Sequence, residues 1–170
     1  MSLVNGLPAH VLFVHFVIVL VPLSALALVI SAVWSRAARR LGLILPVLAF
    51  VTLVTVPLTT QAGEWLERHV DSDTLVRRHA ELGDGLLPWA AGLFVLATLV
   101  WWTTRRTSAP GDRSSAATGT RGGAIVRVAA ALLSVAVATG AVVDVYRIGD
   151  SGAKAAWHDS LTRTATGHGG

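Results

Sequence analysis

Apolar and polar residues along this chain separate into long blocks. Four runs are apolar over the roughly 20 residues needed to cross a bilayer as a helix: Leu7 to Trp34, Leu41 to about Thr60, Leu86 to Thr103, and about Ala124 to Val145. The pattern predicts an all-α integral membrane four-helix bundle, a single domain over 1–160. Between the third and fourth spans, 105–123 is rich in Gly, Ser, Thr and Pro and reads as a flexible cytoplasmic linker; 161–170 reads as a disordered tail. The first run lacks a positive n-region and exceeds the apolar core of a secretory signal, so it reads as a retained helix.

Local signals refine the spans. Asn5 suits an N-cap, with Pro8 in the first turn. Pro22 is expected to kink the first helix, and Pro46 and Pro57 the second. Thr52, Thr55, Thr59 and Gly63 form a stripe of small and hydroxyl residues suited to close helix approach, and Ala130, Ser134 and Ala138 repeat it in the fourth span. The second helix is expected to continue through Glu64 and Trp65. "DSDT" offers Ser72 or Asp73 as an N-cap, so the third is expected to start near Thr74 and pass through His79, although Gly83 and Gly85 weaken that extension.

Composition agrees with the block pattern. Of 170 residues, 53% are hydrophobic and 14% charged, and the mean hydropathy is +0.62. The chain has no cysteine, which excludes disulfides and thiolate chemistry. The net charge of +4 does not imply nucleic acid, because the cations gather at span edges. Eight arginines flank the two loops on one side: Arg36, Arg39, Arg40, Arg105, Arg106, Arg113, Arg121 and Arg127. The other side carries six cations and nine of the ten acids. The positive-inside rule counts cations, so both termini are expected outside the cytoplasm, in a multi-pass protein of the cell membrane. Trp34, Trp89, Trp101 and Trp102 fall at span ends, where an aromatic belt belongs.

All six histidines fall on the extracytoplasmic side: His10, His15, His69, His79, His158 and His168. Helix rise gives their depth. Measured from the cytoplasmic end of each helix, His10 lies about 36 Å away, Glu64 about 35 Å and His79 about 36 Å, while His15 and Asp144 lie about 28 and 30 Å away. Three helices thus deliver His10, Glu64 and His79 to one level, with His15 and Asp144 one turn deeper. His10 and His15 are about 140° apart around their helix and meet different neighbours. An ionisable ring within a bundle needs a partner, and neutral imidazole ligates metals and haem iron. Blander roles stand beside this one. His10 suits the interface, His15 suits a bond to a neighbouring helix, and Glu64 with Arg68, like Asp144 with Arg147, suits a local ion pair. His168 belongs to the tail.

Four segments carry a resemblance: "LPAHVLFVH" from Leu7, "AGE" at Ala62 to Glu64, "HAELGD" from His79, and "GDSGAKAAW" from Gly149. In order and spacing they resemble a bacterial membrane family known only as domain of unknown function 2231. The resemblance implies four helices and, because some members resemble fusions to Rieske-type or rubredoxin-type redox domains, an electron-transfer or cofactor role. It also implies a part for Asp150, where members often have His or Asp.

The expected function is binding of haem b or a divalent transition metal through His10, His15 and His79, with Glu64 and Asp150 as metal ligands or as acceptors that orient the imidazoles, in electron transfer or metal handling. The alternative is a non-catalytic accessory subunit of a larger membrane complex, a respiratory one included, or a homo-oligomer, whose polar residues make helix contacts. A transporter or intramembrane hydrolase is the third reading, and no inverted repeat favours it. No phosphate loop, GxSxG or HExxH motif assigns a reaction.

Overall fold

A computed structural model describes residues 3–4, 7–67, 74–107 and 120–166, with side chains over 13–61, 83–106 and 125–154. A two-residue antiparallel ladder opens the chain, β1 (Leu3–Val4) on β2 (Leu7–Pro8). Five helices follow: α1 (Ala9–Val33), α2 (Ser35–Leu41), α3 (Ile44–Glu67), α4 (Thr74–Thr107) and α5 (Thr120–Thr166). The long helices α1, α3, α4 and α5 each contain a stretch long and apolar enough to cross a membrane. They close into a ring in which α1 packs on α3 and α5, and α4 packs on the same two. Four crossings bring both chain ends to one end of the bundle, the terminal end. The opposite end carries α2 and is the arginine end.

The burial pattern is that of a membrane protein. The interior is built largely from small residues: Ala25, Ala49, Ala90, Ala97 and Ala141 are buried, as are Ser24, Thr52 and Ser134, with Val21, Leu28, Leu45 and Leu93 among them. Larger apolar side chains point outward, with Val19 62% and Leu132 66% exposed. In water such a surface would be an aggregation site. In a bilayer it meets lipid, and small interior residues let the helices approach closely.

Several expectations about individual residues are met and others corrected. Thr52 is the part of the threonine stripe that joins two helices. Its Oγ1 lies 2.7 Å from Ser24 Oγ of α1 and 2.9 Å from the Leu48 carbonyl. With one proton, Thr52 satisfies both contacts by donating to the carbonyl and accepting from Ser24. Thr55 and Thr59 instead donate to carbonyls four residues back in their own helix. Ser134 is fully buried and Ala138 nearly so, as the α5 stripe predicts. α3 does continue through Glu64 and Trp65, and α4 does start at Thr74 and include His79. Pro22 and Pro57 lie inside unbroken helices. Pro46 does not interrupt α3, because the helix starts at Ile44 and its first-turn amides have no intrahelical acceptor. Pro8 lies in the ladder before α1 rather than in its first turn; the expected cap Asn5 lies outside the described residues.

The segment between the first two spans is itself helical. Gly42 ends α2 at φ 48°, a conformation open to glycine, and its amide donates to the Ala38 carbonyl at 3.0 Å. α5 runs past the end of its apolar stretch to Thr166, into the segment expected as tail. The expected caps Ser72 and Asp73, residues 108–119 of the expected linker, and His168 lie outside the described residues.

Candidate functional site

Contacts between helices set a register from which levels in the bundle can be read. On α4 and α5 three pairs meet: Gly85 with Asp144, Trp89 with Gly140, and Gly92 with Val137. Steps of four and three residues up one helix match the same steps down the other, as an antiparallel seam requires. Each pair sets a glycine against a larger side chain. A Cβ on Gly140 would overlap the Trp89 ring, and one on Gly92 would come within 3.1 Å of Val137 Cγ1. Between α3 and α4 the register runs through Thr60 with Gly83 and through the Phe50 and Phe94 rings, 5.7 Å apart between centroids. α4 runs through Gly83 and Gly85 without a break. At each, the absent Cβ faces a side chain of the next helix, Thr60 of α3 or Asp144 of α5.

Asp144 is the carboxylate this packing carries into the bundle wall. A Cβ on Gly85 would lie 3.5 Å from its Oδ2, and that oxygen is buried without a hydrogen-bond partner. Arg147, one turn on, acts on it electrostatically without bonding the buried oxygen. Ser31 Oγ, near the arginine end of α1, is the other buried polar atom without a partner among the described residues.

The remaining expected site residues divide. His15 is exposed on α1. It lies nine residues from Ser24, about 180° around the helix, and so on the face turned away from α3. Asp150 is exposed and bonded to Lys154 Nζ of its own helix at 2.6 Å. It is six residues from Asp144, about 120° from the α4 seam. His10, Glu64 and His79 lie in α1, α3 and α4, and their side chains fall outside the described ones; Arg68, the expected partner of Glu64, lies outside the described residues altogether. Among the described residues no three His, Asp or Glu side chains gather into a metal-binding group.

Sequence reading missed the partnership of Gly85 with Asp144 and the helicity of 35–41. The available signals were the seven-residue spacing of Gly85 and Gly92 and the glycine after Leu41. At the N-terminus the signal was Asn5-Gly6, a dipeptide strongly favoured between paired strands.

No curated protein and no solved structure matches the chain. The family model described as predicted membrane protein (DUF2231) matches residues 6–165, nearly the whole sequence. The chain is a multi-pass membrane protein and belongs to the DUF2231 family.

Proposed function

We propose that this protein binds a divalent transition metal at the terminal end of its bundle, with His79, Glu64 and His10 as ligands, in metal handling or electron transfer. The observation that carries the reading is the α3–α4 register. Thr60 faces Gly83. Glu64 is four residues beyond Thr60, and His79 is four residues before Gly83. In antiparallel helices these steps run the same way along the bundle, so positions 64 and 79 share a level one turn nearer the chain ends. A four-residue step turns about 40°, which keeps both positions on the facing sides.

His10 is supported by the α1–α3 contact. It lies 14 residues from Ser24, close to four full turns, on the face that Ser24 turns to Thr52. The same register brings it within two residues, about 3 Å, of the level of Glu64.

Two imidazoles and one carboxylate suit Zn, Cu or Fe. A carboxylate in the proposed ligand set favours a metal ion over haem b, whose axial positions two histidines alone would fill. His15 and Asp150 are left out, because one turns away from α3 and the other is bonded to Lys154. Asp144 is level with Gly85, six residues or about 9 Å below His79, and is left out of the ligand set. On this reading the terminal end is extracytoplasmic, as the arginine distribution supports.

Elemental analysis and a visible spectrum of the purified protein test the proposal. Near-stoichiometric Zn, Cu or Fe that His79→Ala abolishes while the protein still inserts would support it. A Soret band would replace the metal with haem b. A colourless, metal-free protein that takes up no added metal would overturn it and favour an accessory subunit.

A further inference from the structure

The arginine end carries a second, independent feature. α2 packs on α1 and α4 through its own Ala38, which is buried. Arg127 of α5 holds its start by donating from Nη2 to Ser35 Oγ at 2.8 Å. With Ala38 turned inward, Arg36, Arg39 and Arg40 are all exposed. Their spacings of three and four residues place like charges side by side, which destabilises an isolated helix. At the end of α4, Arg105 stacks on Trp101 at 5.1 Å and Arg106 on Trp102 at 4.8 Å. Stacking uses the flat face of a guanidinium and leaves its N–H edge for a planar or tetrahedral anion.

The acids whose side chains are described, Asp84, Asp144 and Asp150, all belong to the terminal end. Among the described residues, six guanidiniums therefore share the arginine end with no carboxylate. The helix bearing three of them is held by packing and by Arg127, and the tryptophans beneath two others sit where an interfacial belt lies.

We propose that this end is a binding site for anionic phospholipid headgroups, with Arg36, Arg39 and Arg40 gripping the phosphate and Arg105, Arg106 and Arg127 flanking it. A headgroup supplies a negative charge that no described carboxylate brings to this end. Its acyl chains have a surface to lie on, since Val33, Leu43, Ile44 and Trp102 are exposed beside the arginines. That apolar neighbourhood is why a lipid, rather than a soluble anion, is the occupant.

The test uses the full chain in an uncharged detergent with equimolar phosphatidylglycerol and phosphatidylcholine, reading retained lipid by native mass spectrometry. Phosphatidylglycerol should be retained about tenfold or more over phosphatidylcholine. The triple variant R36Q/R39Q/R40Q should bring the ratio to within about twofold, while R147Q/K154Q at the other end should leave it unchanged. The wild-type ratio should also fall as salt rises from about 50 to 500 mM, a readout that needs no variant. Equal retention of the two lipids, a ratio indifferent to both salt and the triple variant, or complete displacement by millimolar inorganic phosphate would overturn the proposal; the last would mark a small-anion site.

Discussion

Replacing Gly140 with alanine tests the α4–α5 seam. The added Cβ would stand 2.5 Å from Cη2 and 2.7 Å from Cε3 of Trp89, against an optimal carbon separation of about 3.5–4.0 Å. The ring must retreat by about 1 Å or swing outward, and overpacking of this size costs about 1–3 kcal/mol. Removing a glycine from a helix gives back about 0.5–1 kcal/mol. The net expectation is a loss of up to about 2.5 kcal/mol in G140A. In a Trp89→Leu background the ring is gone and only the backbone term remains, so the same substitution should stabilise by about 0.5–1 kcal/mol. Unfolding by SDS from mixed micelles, followed by circular dichroism, gives all four corners of the cycle. The reversal of sign is the diagnostic result. Equal effects of G140A in both backgrounds would refute the seam, and with it the packing that gives glycine its place at position 140.

Thr52→Val strands the Ser24 hydroxyl between α1 and α3 and should cost about 0.6–1.7 kcal/mol in the same assay, with Ser24→Ala adding little afterwards; additive losses would show that the pair is not coupled. Because the chain has no cysteine, Glu64→Cys with His79→Cys should be joined efficiently by a short thiol cross-linker, and Glu64→Cys with Asp150→Cys poorly; the reverse ranking would contradict the proposed level. A reporter that fluoresces only in the cytoplasm, fused to the C-terminus, should stay dark, and bright cells would invert the proposed orientation. Deleting several residues from 108–117, whose Gly, Ser, Thr and Pro content reads as a linker, should leave insertion and metal content intact, since closure entropy varies little with linker length; loss of folded protein would show that the stretch packs.

The spans were legible because each apolar run is long enough to dominate its surroundings, and the start of α4 at Thr74 was legible from "DSDT". α2 was not, because its inward side is only one turn deep and three arginines outweigh Ala38 in any window. Pro46 was misjudged for a related reason. Placing the helix start at Leu41 rather than Ile44 put a first-turn proline into the interior. Gly83 and Gly85 read as weak points because propensity is a property of one helix, whereas α4 is held by its packing on α3 and α5 and runs through both. The angular separation of His10 and His15 was available from helix geometry alone. That it is His15 which faces away from α3 followed only from the contact between Ser24 and Thr52.

X-ray absorption at the edge of the bound metal tests the central claim most directly. Two imidazole nitrogens and at least one carboxylate oxygen are expected at about 2.0–2.2 Å, with one imidazole lost in His79→Ala and another in His10→Ala. A first shell unchanged by both substitutions, or a protein that binds no metal at all, would contradict it.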